Sequence, residues 1–192
     1  MTSSPGGFIR GTPVWRDPSI VPIDQLISGE CRPRSVLVGK RELIAVKYGL
    51  EMMADRTFST FAALDQAFAV ESRGWVHARA LREGDKLLRR DGPPMYVHVA
   101  TPVYTTDRDG VGWFPYTPGT LEGIGNVIDF NGPVWKLLES SAYRPLDDPE
   151  DYSRMPVDVF QLYAGESDVC YVGSMGMRVA GSVSRASESD CR

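Results

Sequence analysis

The chain has 192 residues, 42% of them hydrophobic, and a formal net charge of -4. That is enough apolar material to close one core of its own, and 21 lysines and arginines against 25 acids leave no basic surplus for a phosphate-neutralising surface, so no nucleic-acid partner is expected. Its three cysteines, Cys31, Cys170 and Cys191, are odd in number and lack metal-ligand spacing, which excludes a disulfide framework and a zinc site and leaves no cofactor to expect.

Residues 1–6, MTSSPG, read as a flexible leader. They contain no apolar run of signal-peptide length, and no later window reaches the ~20 apolar residues of a membrane span. A soluble, non-secreted protein with no membrane partner, cytoplasmic by default, is therefore expected. From Phe8 onward β-branched and aromatic residues dominate. A first unit runs through Val14, Ile20-Val21, Leu26 and Gly29-Glu30. Ser35 to Val38 and Leu43 to Val46 read as strands around the polar Gly39-Lys40-Arg41 turn. Leu50 to Asp55 fits strand and helix equally, and its Met52 and Met53 are expected to fill core gaps.

The first unit then returns. Val70, Trp75-Val76, Leu81 and Gly84-Asp85 match the four earlier anchors with one residue of slack between the first and second, leaving Leu26 and Leu81 55 positions apart. In each copy a short alternating strand (Phe68, Val70) meets a polar turn, a second strand starts at Trp75-Val76, and one helical turn, Ala78 to Leu81, is stopped by glycine. Gly84-Asp85 suits a tight turn, because glycine tolerates positive φ and aspartate bonds nearby amides. A third strand, Lys86 to Leu88, leaves it. Such a repeat predicts one pseudo-symmetric, all-β domain.

Beyond Pro93, Tyr96 to Val99 and Val103-Tyr104 alternate like strands, and Asp107 to Gly110 reads as a hairpin turn. Trp113, Phe114, Tyr116, Phe130, Trp135 and Tyr143 crowd a segment rich in proline and glycine, closed by the acidic loop Asp147 to Asp151. Two readings stand: the rings form the core of an elaborated β arm, or Trp113, Phe114, Tyr116 and Trp135 form a surface for an unidentified protein partner. Ser182 to Arg192 is expected to be disordered. Arg79, Arg82, Lys86, Arg89 and Arg90, interrupted by Glu83 and Asp85, read as a solvated face. The two histidines, His77 and His98, read as surface or packing residues. No Gly-x-Ser-x-Gly elbow is present, Gly119 to Gly125 lacks the lysine of a phosphate loop, and Asp147 to Asp151 lacks calcium-loop spacing.

Four blocks carry a resemblance. Gly7-Phe8-Ile9-Arg10-Gly11-Thr12-Pro13-Val14 resembles the Cys-Phe-x-x-Gly-Thr-x-Val opening of the Hint (Hedgehog/intein) superfamily, and the Gly74-Trp75-Val76 unit with Gly84-Asp85 resembles its second block. Val159-Phe160-Gln161-Leu162 with Asp168 to Val172 is similar to its late strand pair, and Gly176 to Gly181 to its close. The resemblance spans about 7 to 182, and 91–156 match nothing in it. It implies a pseudo-two-fold, horseshoe-like Hint domain over 7–181 with an aromatic-rich insertion at about 91–156.

The chemistry implied by that family is autocatalytic peptide cleavage or splicing by a cysteine, a threonine, two histidines and a closing asparagine. At the matched positions this chain carries Gly7 for the opening cysteine, Ala63 for the threonine, Gln66 and Asp168 for the histidines, and Ala180-Gly181 for the closing His-Asn. Glycine has no nucleophile, and glutamine does not shuttle protons near neutral pH. The flanks, six residues before Gly7 and eleven after Gly181, leave little to ligate. The resemblance thus implies a stand-alone, degenerate member acting as a binding or structural module, of the kind carried by phage or bacterial accessory genes. The alternative is an autoprocessing domain that uses altered groups such as Thr60, Asp168 or Ser182.

Overall fold

Short runs of alternating apolar residues, broken by glycine and polar turns, cannot satisfy their backbone groups as helices, and they pair instead. The computed structural model describes residues 6–26, 33–52, 57–105, 111–115, 125–129, 137–138, 156–164 and 168–182. Among them there is no α-helix. The strands are β1 (Phe8–Ile9), β2 (Pro13–Arg16), β3 (Ser19–Pro22), β4 (Arg34–Arg41), β5 (Leu43–Gly49), β6 (Thr57–Ala63), β7 (Ala67–Val70), β8 (Gly74–His77), β9 (Lys86–Leu87) and β10 (Met95–Pro102). After them come β11 (Tyr104–Thr105), β12 (Val111–Pro115), β13 (Gly125–Asp129), β14 (Leu137–Leu138), β15 (Val157–Tyr163), β16 (Val169–Val172) and β17 (Met177–Ala180). Two 3-10 turns, η1 (Ile23–Leu26) and η2 (Ala78–Ala80), follow β3 and β8.

Thirteen strands form one antiparallel sheet in the order β3-β2-β16-β17-β7-β9-β10-β5-β6-β1-β15-β4, with β8 paired to β7. The repeat is visible in its ladders. Val14 faces Val21 in the first hairpin and Phe68 faces Val76 in the second. Ile23 N–H then bonds the Thr12 carbonyl at 2.9 Å, and Ala78 N–H bonds the Gln66 carbonyl at 2.8 Å. Leu26 and Leu81 close the two turns, 1% and 7% exposed. One expectation needs correcting: Val70 is not the counterpart of Val14, since Val70 faces Gly74 beside the turn and Phe68 occupies the equivalent rung. The second turn is longer, with Ser72 at φ 65, and moves the register accordingly. Gly29-Glu30 lie outside the described residues.

The two-fold relation continues across the sheet. β16 pairs with β2 (Val172↔Val14) and β17 with β7 (Val179↔Phe68), so one hairpin serves both halves. At the other junction Phe8 of β1 faces Ala62 of β6. β15 flanks β1 while β5 flanks β6, so a strand from each half packs into the other. Between these layers lies a core that includes Phe8, Val14, Leu26, Phe68, Leu87, Phe160, Val172 and Val179. Phe8 and Phe68 meet edge-on at 6.1 Å. Each such buried side chain contributes about 1.5–3 kcal/mol through the area it removes from water.

Two further expectations change. Of Leu50 to Asp55, the described residues Leu50 to Met52 are neither helix nor strand; they follow β5, whose Gly49 pairs with Thr57, and Leu50 and Met52 are 47% and 36% exposed and fill no core gap. Met53 lies outside the described residues. β6 was not anticipated from Thr57 to Ala63. β11 to β14 form a separate four-stranded sheet, whose register aligns Tyr104, Trp113, Val127 and Leu138 in one row. Asp107 to Gly110, Tyr116 and Trp135 lie outside the described residues. Among those described, no helix is long and apolar enough to cross a membrane.

Candidate functional site

The short Leu64-Asp65-Gln66 link between β6 and β7 is a turn closed by Gln66 N–H on the Ala63 carbonyl at 3.0 Å. It turns the Gln66 side chain inward, to 4% exposure. A buried amide must be hydrogen-bonded, and Nε2 donates to the carbonyl of Ala67 at 3.0 Å and of Ala180 at 2.9 Å. Its oxygen faces the chain start: a Cβ placed on Gly6 would stand 2.6 Å from Gln66 Oε1 and 2.8 Å from Gln66 Cα. Next to it, Ala63 N–H donates to the Gly7 carbonyl at 2.8 Å. Gly7, Ala63, Gln66 and Ala180, spread over the whole sequence, are thus brought into one constellation.

The last members adjoin it. Gly181 N–H donates to the Asp168 carbonyl at 2.8 Å, and Ser182 N–H to the Leu162 carbonyl at 2.8 Å. The Ser182 hydroxyl accepts a hydrogen bond from Gln161 Nε2, and the Tyr163 hydroxyl donates to Gln161 Oε1 at 3.3 Å. Thr60 is buried on β6 opposite Val46, three positions before Ala63, and no described hydrogen bond ties its side chain to this constellation. His77 is exposed on β8 opposite Ala67, and His98 Nε2 is held at 2.8 Å from the Glu51 carbonyl at the hairpin tip.

Among the described residues, two amides and the Ser182 hydroxyl make side-chain hydrogen bonds in this constellation. Gln66 and Gln161 are neutral amides without a basic site, and the Ser182 hydroxyl meets one of them. Among the described residues the thiol beside the constellation is Cys170, and burial pushes it up to about 12, so it stays protonated and a poor nucleophile near neutral pH. Space is short as well. A Cβ on Gly7 would meet the Phe160 carbonyl and Val159 Cγ2, each at 3.0 Å, and one on Gly181 would meet Ala164 Cβ at 3.0 Å and Cys170 Sγ at 3.1 Å. Sequence reasoning missed Gly6, Gln161 and Cys170. For Cys170 the available signal was its place two residues before Val172 on an alternating strand, which points both side chains inward. Among the described residues no group of three or more His, Cys, Asp or Glu is placed to hold a metal ion.

Comparison with protein-family models gives no match, nor does comparison with curated proteins. Solved structures do match. A bacterial intein-like domain from Clostridium thermocellum aligns with TM-score 0.55 at 16% identity, over 91% of this chain and 98% of that one. A DnaB intein from Synechocystis aligns with TM-score 0.54 at 12% identity, over 93% and 99%. The gp41-1 intein aligns with TM-score 0.50 at 9% identity, over 93% and 100%. The chain has the all-β Hint fold of intein domains.

Proposed function

We propose that this chain is a Hint-fold module without self-cleaving chemistry, kept for binding a partner or for a structural role, in the soluble and phage-like setting that the family resemblance implies. The observation that carries the reading is the closure of the constellation. Gly6, Gly7 and Gly181 lie so close to their neighbours that a Cβ at any of them comes within 3.0 Å of another atom. Where inteins are expected to hold a proton-transferring histidine, Gln66 instead ties Ala180 down through a neutral amide. Packing and hydrogen bonds link Gly7 to Ala63 and Gln66 to Ala180, which supports the reading. The self-cleaving alternative would need Ser182, Asp168 or Thr60 to act, and among the described residues the Ser182 hydroxyl is bonded to the Gln161 amide while Thr60 lies opposite Val46. On this reading residues 7–181 are one domain, and the insertion at about 91–156, with Trp113, Phe114, Tyr116 and Trp135, is one candidate contact region.

The test is direct. The chain is produced with a folded fusion partner at each end, incubated from pH 6 to 9 with and without thiols, and weighed intact by mass spectrometry. A single uncleaved mass is expected. Scission before Gly7 or after Gly181 overturns the proposal.

A further inference from the structure

We draw no further inference here: the strongest candidate, the open edge of the main sheet along β4, which among the described residues pairs with β15 alone and leaves Val36 and Leu37 43% and 51% exposed, carries nothing because no observation in the structure shows what covers it.

Discussion

At Gly6 the whole cost of a side chain falls on one contact. Its Cβ would press on Gln66 Oε1 and on the Gln66 backbone, and main chain yields little. Gly6→Ala is expected to destabilise by about 1–3 kcal/mol, the usual range for overpacking, measured by urea unfolding. Gln66→Ala removes the donor to Ala180 and leaves that carbonyl short of a partner, again about 1–3 kcal/mol. The two changes share one contact, so together they should cost less than their sum; strict additivity would mean that Gly6 and Gln66 do not press on each other. For the same reason Gly7→Cys with Gln66→His and Gly181→Asn should leave the chain uncut and less stable, because the first and last need room that Phe160, Val159, Ala164 and Cys170 occupy. Cys170 adds a pH dependence. Its folded value is raised from 9.0 to about 12, so the unfolded state releases its proton first. Stability is whole below about pH 9 and falls as pH rises toward 12, by at most about 1.4 kcal/mol per pH unit. Burial also pushes the Tyr48 phenol up, with the same sign. Comparing melts of the chain and of Cys170→Ala between pH 8 and 10.5 isolates the thiol: an identical slope in both would contradict its burial. The resemblance set Gln66 and Ala180 among its matched positions, and the two are joined by a hydrogen bond. The contact of Cys170 with Gly181 was not legible in the sequence, because it joins two strands whose register no local pattern sets.

The hairpin units show how far a local pattern reaches. The spacing of Ile20-Val21 and Leu26 against Trp75-Val76 and Leu81 survives in space because a strand, a 3-10 turn and an inward leucine are all set within a few residues. The Val14 to Val70 match did not survive. Turn length decides which residue faces which, and a three-residue turn with Ser72 at φ 65 differs from the Asp17-Pro18 turn without altering the apolar alternation around it. Met52 misled for a related reason: its apolar character suits a core, but the chain must reverse between β5 and β6 at that point. If the two units are equivalent, their leucines carry equal loads. Leu26→Ala and Leu81→Ala are each expected to cost about 2–5 kcal/mol, read from denaturant midpoints at constant slope. A loss at Leu81 of less than half that at Leu26 would mean that the sequence repeat is not an energetic one.

At the scale of the molecule, the exchange of strands decides how it folds. β5 belongs in sequence to the first half but pairs with β6 and β10 of the second, and β15 from the late sequence lies between β1 and β4. Neither half can therefore satisfy its edges or cover its apolar faces alone, in line with the single pseudo-symmetric domain that the repeat predicts. An open strand edge with unpaired amides is costly when buried and sticky when exposed. Dividing the chain after Leu146 leaves β15, β16 and β17 in one fragment, with β1, β4, β2 and β7 as their partners in the other. Each fragment by itself should lack dispersed amide resonances, the first because β16 and β17 no longer bridge β2 to β7, the second because, among the described residues, its internal pairing is the β16–β17 hairpin and the single Tyr163–Ser182 bridge. Mixed in equal amounts they should recover the sheet and melt in one cooperative step, as a single interdependent core requires. A larger fragment with native dispersion in isolation would show that the first ten strands close without help, and that the shared hairpin is an addition to the fold.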